Sequence, residues 1–186
     1  MNLSESLGTP SLTAQDWHHR ICFGCGPDNP HGLGADFRFD EDNGEVRFSY
    51  TPGPFLTGAP GFVHGGILAS IMDEAQGVLC FHIGHIVMTE QLTLKYHRAT
   101  PLEKAFQVRA WITSVRRRRM YTRATIHEGE TLLVSSRAAW YLLPERVVRR
   151  MIHTEEQEFE RIRGVVEANR KRARQIRQKL RRARRN

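Results

Sequence analysis

The candidates for a chemical role in this chain are a histidine, two glycines and an acid that lie within ten residues of one another. His64, Gly65 and Gly66 stand together, and Asp73 follows nine residues after the histidine. If a helix begins at the glycines, its first N–H groups have no partner inside the helix and lie at its positive end. Glycine lets a ligand oxygen approach such groups closely. The segment therefore predicts an oxyanion-binding helix start combined with a carboxylate.

The separation of these groups along the chain limits how they act together. Gly65 and Asp73 are eight residues apart, which is about 12 Å along a helix at the standard rise. One helix does not bring both to one carbonyl, whereas antiparallel helices of two subunits would, giving two symmetric sites per dimer. The alternative is that the glycines allow close packing and that Asp73 or Glu74 is a surface acid. Burying a carboxylate on so apolar a segment is costly, which favours a functional site.

The segment that carries the acid is predicted to be a buried helix from Gly66 to about Phe81. A helix that is apolar on nearly all sides lies inside a protein. The apolar residues here are Ile67, Leu68, Ile71, Met72, Ala75, Val78, Leu79 and Phe81. At the helix end, His82 and His85 are expected to cap the helix or lie on the surface, because no third metal ligand stands near them in the sequence.

Two-residue alternation predicts strands on both sides of this helix. A hairpin is predicted over residues 37–50, with its turn at Asp42-Asn43-Gly44. Four later strands are predicted at about 86–98, 104–115, 118–128 and 131–143. The connections between the later strands are short, which favours an antiparallel meander.

These elements together predict an α+β chain with a hotdog fold. In that fold an antiparallel sheet of five to six strands wraps around one long central helix that comes early in the chain. A doubly wound fold or a TIM barrel would need several helices alternating with the strands. We predict an N-terminal polar segment at 1–20, a hotdog domain at 21–145 and a C-terminal helical basic tail at 146–186.

The charge of the chain is concentrated in that tail. The 186 residues carry a formal net charge of +8, yet from Ala168 to Asn186 there are 10 Lys or Arg and no acid. The rest of the chain then has 28 − 10 = 18 bases against 20 acids. Apolar residues of the tail have heptad-like spacing. Two interpretations are open: a marginal coiled coil, or a solvated helix with a fraying basic end. These residues are Phe159, Ile162, Val166, Ala173 and Ile176.

The chain resembles the hotdog acyl-CoA thioesterases of the phenylacetate-pathway and 4-hydroxybenzoyl-CoA type. The resemblance covers about residues 22–143. It rests on the His-Gly-Gly of residues 64–66 with an acid nine residues after the histidine, and on Thr89 in the strand predicted after the helix. The segment from Cys22 to Gly34, CFGCGPDNPHGLG, is similar to a subset of these proteins.

The resemblance implies an enzyme that hydrolyses acyl-CoA thioesters to the free acid and coenzyme A. The Gly65 N–H would polarise the thioester carbonyl. Asp73 of the neighbouring subunit would act as nucleophile, giving a mixed anhydride, or as general base for water. Thr89 would place a hydroxyl near that carboxylate or its water. Related enzymes often carry an Asn or Gln several residues before the His-Gly-Gly, and this chain has none there, so Asp73, Glu74 or Gln76 is a candidate substitute.

Four further residues are candidates for the site. Gly66 is expected to contact substrate beside Gly65, and His64 either assists there or, as we favour, hydrogen-bonds the loop. Arg118 and Arg119 stand in a predicted turn where guanidinium groups would bind coenzyme A phosphates. A solvated basic turn is an equally good interpretation of the two arginines.

The cysteines and the absence of long apolar runs indicate a cytoplasmic protein. Cys22, Cys25 and Cys80 are an odd number of thiols in a chain with no export signal and no run of about 18 apolar residues. Cys22 and Cys25 form a CxxC that, with His31 and either His18 or His19, would supply four zinc ligands. Without a second CxxC, we expect the cysteines to pack and predict neither a metal nor a redox cofactor.

Two rival functions share the expected fold. The first is a non-catalytic acyl-CoA-binding protein whose basic tail contacts nucleic acid or an acidic partner. The second is a hydratase, which typically needs an Asp and a His a few residues apart at the helix start, a pairing that this chain lacks. The prediction is therefore a thioesterase that works as a homodimer or homotetramer, with weak polyanion contact through the tail and no membrane span.

Overall fold

The computed structural model describes residues 21–151 and 156–183. The predicted polar segment, residues 1–20, lies outside the described residues, as do residues 152–155 and 184–186. No helix within the described ranges is long and apolar enough to cross a membrane.

The central helix α1 spans Gly65–His82, one residue longer at each end than the sequence predicts. Ten of its residues are buried, from Leu68 to His82. The imidazole of His64 caps the first turn, with Nδ1 accepting the Gly66 N–H at 3.0 Å. This bond satisfies one of the donors that a helix start leaves without a partner.

Six antiparallel strands form one sheet around α1. They are β1 Arg38–Asp40, β2 Glu45–Tyr50, β3 Val87–Tyr96, β4 Phe106–Arg116, β5 Arg119–Glu128 and β6 Thr131–Leu142. Their spatial order is β1-β2-β4-β5-β6-β3. The meander prediction is correct for β4 to β6 and wrong for β3, which pairs with β6 at the far edge. Single-strand patterns do not specify which strand a chain joins after it has crossed a helix.

The inward side chains of the strands and the surface of α1 form the main core. Alternate residues of the strands point at the helix because successive side chains of a strand face opposite sides. The shared cluster includes Val108, Ala110, Ala124, Ile126 and Val134 from the sheet with Ile71, Met72, Ala75 and Val78 from the helix. The fold of the described residues is therefore the predicted α+β hotdog arrangement.

Two C-terminal helices follow the sheet, α2 at Glu145–Met151 and α3 at Glu156–Ala183. The apolar face of α3 packs on the C-terminal end of α1, where Phe81 forms one buried cluster with Ile162, Val165 and Val166. Asn169 Nδ2 donates to the Phe81 carbonyl at 3.1 Å. The apolar stripe is therefore buried against the chain's own central helix, an arrangement that neither sequence interpretation of the tail included.

Candidate active site

Asp73 lies on α1 and is bound by a hydroxyl from the edge strand. Thr89 Oγ1 on β3 donates to Asp73 Oδ1 at 3.0 Å, a bond made within one chain. Partial burial raises the pKa of Asp73, and the hydrogen bond from Thr89 opposes that rise. A carboxylate held in one orientation and partly removed from water is suited to nucleophilic attack or to accepting a proton from water.

The start of α1 has one N–H group available for a ligand. The Gly66 N–H is taken by the cap on His64, whereas no acceptor within the described residues contacts the Gly65 N–H. Tyr96 Oη at the end of β3 donates to the Gly65 carbonyl at 2.9 Å. His64 therefore shapes the helix start, as favoured from the sequence, and Gly65 carries the donor. Tyr96 was missed because nothing local in the sequence links it to residue 65.

Gly65 and Asp73 line different cavities of the single chain. Gly65 faces a cavity shared with Phe62, His64 and Tyr96. Asp73 faces another, lined by Cys22, Phe23, Gly24, Ala69, Ser70, Glu74 and Leu92. This separation agrees with the helix geometry, which places two turns between the residues.

Gln76 does not substitute for the missing amide ahead of His64. Gln76 is a residue of α1 whose side chain is fully buried. Its Oε1 accepts from Thr122 Oγ1 at 2.7 Å, and its Nε2 donates to Ser136 Oγ at 3.0 Å. Trp140 Nε1 extends the network by donating to Thr122 Oγ1 at 2.7 Å. Glu74 is also engaged elsewhere, because it forms a hydrogen bond with Cys25 on the N-terminal loop.

The two arginines predicted to bind phosphate differ in their surroundings. Arg119 is paired with Glu90 of β3 through two bonds of 2.7 Å, from Nε and from Nη2. Arg118 is exposed in the turn between β4 and β5. The turn lies at the same end of the sheet as Thr89, because Arg119 aligns with Tyr141, which aligns with Met88. A role in phosphate binding stays a prediction for both arginines.

His82 is a core residue, so the expectation of a surface or capping role is wrong. Its side chain is 2% exposed and stacks on Phe39 with ring centroids 5.0 Å apart. Burial, followed by the charge of Arg172, lowers the pKa of His82 to about 4. No local pattern indicates this burial, because the helix end is covered by α3 and β1, which are distant from it in the chain.

Comparison with known proteins points to one family. A model of the thioesterase superfamily matches residues 60–135. Acyl-coenzyme A thioesterase THEM4 of Rattus norvegicus is 31% identical over 109 residues, covering 58% of this chain and 47% of the relative. Acyl-coenzyme A thioesterase THEM5 of Mus musculus is 42% identical over 53 residues, covering 28% of this chain and 21% of the relative. The chain thus spans about half or less of these curated relatives.

Solved structures show the same fold. A thioesterase superfamily protein of known crystal structure is 31% identical, with a TM-score of 0.62 over 66% of this chain and 60% of that chain. The PaaI protein from the E. coli phenylacetic acid degradation operon is 18% identical, with a TM-score of 0.55 over 60% of this chain and 81% of that chain. At 18% identity the comparison shows a common fold.

Proposed function

We propose that this chain is a member of the thioesterase superfamily, whose model matches residues 60–135, and that it hydrolyses acyl-CoA thioesters to the free acid and coenzyme A. The observation that carries the proposal is the Asp73 carboxylate, held by Thr89 at 3.0 Å on the helix whose first turn presents the Gly65 N–H. The thioesterase names of the curated relatives support the reaction type.

In the proposed reaction the thioester carbonyl lies at the Gly65 N–H. Negative charge develops on the carbonyl oxygen during attack, and a fixed donor at a helix start stabilises that charge more than the neutral ground state. Asp73 either attacks the carbonyl carbon and forms a mixed anhydride, which water then hydrolyses to the free acid, or it removes a proton from the water that attacks the carbonyl. On both routes coenzyme A leaves as a thiolate. The Thr89 hydroxyl orients the carboxylate in either case. Gly66 and His64 keep the first turn in shape.

We propose that each site combines two copies of the chain. Gly65 and Asp73 of one copy line different cavities, so the second copy would supply Asp73. Strand β3 is at the sheet edge, and its Met88 and Tyr96 are 48% and 51% exposed. An edge strand presents unpaired backbone groups that pair readily with another strand. Pairing of two β3 strands would join the sheets of a homodimer, from which a homotetramer can be assembled.

Two basic parts of the chain are also proposed to bind anions. Arg118 would offer its exposed guanidinium to the phosphates of coenzyme A, while Arg119 would do so only by exchanging Glu90 for phosphate. The bases of α3 at Lys171, Arg174 and Arg177 are exposed and would give a weak, salt-sensitive contact with polyanions. From the sequence patterns we also propose the division of the chain into segments 1–20, 21–145 and 146–186. A cytoplasmic location is likewise proposed from the sequence.

The first test is release of free thiol from a panel of aliphatic and aryl acyl-CoAs. Asp73→Ala should lower kcat/KM by about 100-fold or more, because the variant loses the group that attacks or accepts the proton. Asp36→Asn is the matched control, since Asp36 is an exposed acid paired with Arg38 that lines neither cavity of the proposed site, and it should keep full activity. Equal turnover by folded Asp73→Ala and wild-type protein would contradict the proposal.

The second test addresses the Gly65 N–H. Proline at the first position of a helix is well tolerated and has no N–H, so Gly65→Pro should fold and lose about 100-fold in kcat. Gly65→Ala keeps the N–H, and its Cβ would lie 3.5 Å from Tyr96 Oη, an ordinary contact. The alanine variant should therefore retain most activity. Similar losses in both variants would show that the space at Gly65, and not its N–H, matters.

A further inference from the structure

Two thiols and a carboxyl group converge where the N-terminal loop meets α1. Cys22 and Cys25 come from the loop and Glu74 from the helix, and one potential ligand atom of each lies within 4.8 Å of the other two. Cys25 hydrogen-bonds Glu74, and Cys22 hydrogen-bonds Cys25. Cys25 is 2% exposed, and Cys22 is partly buried. The catalytic proposal uses none of these three side chains.

The loop is folded so that both sulfur atoms face the helix. The Gly26 N–H donates to the Cys22 carbonyl at 3.0 Å, which closes a turn around the CxxC. The Leu33 N–H donates to the Phe23 carbonyl at 2.7 Å, and Asn29 Nδ2 donates to the Ile21 carbonyl at 3.1 Å. These bonds fix the backbone on both sides of the cysteines.

Gly24 makes room for the carboxyl group between the cysteines. A Cβ atom at this position would overlap the carboxyl carbon of Glu74. Any larger residue would push Glu74 away from the sulfur atoms. The glycine within the CxxC therefore permits the close approach of loop and helix on which the cluster depends.

Two sulfurs and a carboxylate oxygen are a ligand set of Zn²⁺. With Zn–S distances of about 2.3 Å, two thiolates of a tetrahedral site stand about 3.8 Å apart. The potential ligand atoms of the three side chains already lie within 4.8 Å of one another. Small side-chain rotations would therefore bring them to the distances of a zinc site. Softer sulfur ligands favour zinc-like ions over Mg²⁺ or Ca²⁺, which prefer all-oxygen sites.

We propose that Cys22, Cys25 and Glu74 bind one zinc-like divalent cation, with water in the fourth position. Each thiol would release its proton to solvent as the ion binds. His31, the further ligand considered from the sequence, is exposed and is not part of the cluster. The ion would fasten the loop to α1 beside the cavity of Asp73. Loop 22–34 would then be held by a metal as well as by its hydrogen bonds.

The test uses the full-length chain, reduced and freed of metal, titrated with Co²⁺ as a spectroscopic substitute for Zn²⁺. We expect saturation at one ion per chain, thiolate-to-cobalt charge-transfer bands in the near ultraviolet, and the strong visible bands of a tetrahedral ion. Added Zn²⁺ should remove all of these bands. Absence of the charge-transfer bands in protein with reduced, titratable thiols would overturn the proposal.

Variants identify the ligands independently of any enzymatic activity. Cys22→Ser and Cys25→Ser should each lower the charge-transfer intensity by about half and weaken binding at least about tenfold, and Glu74→Gln should weaken binding while preserving that intensity. Cys80→Ala is the control, because Cys80 is buried in another cluster, and it should bind as wild type. Unchanged affinity in Glu74→Gln would overturn the three-ligand site. The proposal would also be overturned if Cys22 and Cys25 formed a disulfide and the chain bound no ion after that disulfide was reduced.

Discussion

At the scale of single residues, the environment of each polar group in α1 decides its role. Asp73, Glu74 and Gln76 follow one another closely in the sequence, yet they have three different sets of partners. Asp73 forms a hydrogen bond with Thr89, and Glu74 forms one with Cys25 of the N-terminal loop. Gln76 forms a buried hydrogen bond with Thr122. Only Asp73 combines partial exposure with a hydroxyl partner in the manner expected of a catalytic carboxylate.

His82 makes a prediction about pH. Its pKa falls from 6.5 to about 4 in the folded chain, so the unfolded chain binds a proton that the folded chain excludes as the pH drops through 6.5. The free energy of unfolding should therefore decrease on acidification, by about 2 kcal/mol between pH 7 and pH 5 from this group. Burial also lowers the pKa of His85, so this group should further decrease the free energy of unfolding on acidification.

Urea unfolding at the two pH values measures this effect. His82→Phe keeps a ring to stack on Phe39 and has no titrating nitrogen, so most of the difference between pH 7 and pH 5 should disappear. If the variant loses as much stability as the wild type on acidification, other groups cause the pH dependence.

At the scale of elements, α3 is part of the folded unit because it covers the end of α1. Ile162 is 5% exposed and belongs to the same buried cluster as Phe81. Ile162→Ala should lower the free energy of unfolding by about 2–4 kcal/mol, through lost burial and the cavity left behind. Denaturant unfolding of the full chain, followed by circular dichroism, measures the change.

Gly164 provides the matched control for α3. It is exposed within the same helix, and a Cβ added there would meet nothing within 4 Å. Gly164→Ala should therefore stabilise the chain by about 0.5–1 kcal/mol, because alanine restricts the unfolded chain more and favours the helix. If both substitutions left stability unchanged, α3 would not be packed on α1.

At the scale of the whole molecule, the separation of Gly65 from Asp73 predicts complementation between inactive chains. A mixed dimer of Asp73→Ala and Gly65→Pro would hold one site with both groups intact and one with neither. After equal amounts are unfolded and refolded together, about a quarter of wild-type activity should return, because half of random dimers are mixed and each has one working site of two. The same thiol-release assay measures it. A mixture as inactive as its components would place both groups in sites within one chain.

Local sequence patterns predict the hotdog elements and the segment that carries the chemistry. The all-round apolar pattern of residues 66–81 places a helix in the interior, and two-residue alternation defines the strands, because both depend only on local periodicity. The His-Gly-Gly at 64–66 marks the helix start for the same reason. Asp73 stood out as an acid on an otherwise apolar helix. These features are written in neighbouring residues and can be found without coordinates.

The contacts between distant residues follow from the three-dimensional packing of the chain. It placed β3 at the sheet edge beside β6, brought Tyr96 to Gly65, buried His82 under Phe39, and set Glu74 against Cys22 and Cys25. Each of these contacts joins segments that are far apart in the chain or depends on which way a side chain turns. Such contacts are selected by the packing of the entire core, so no local pattern specifies them.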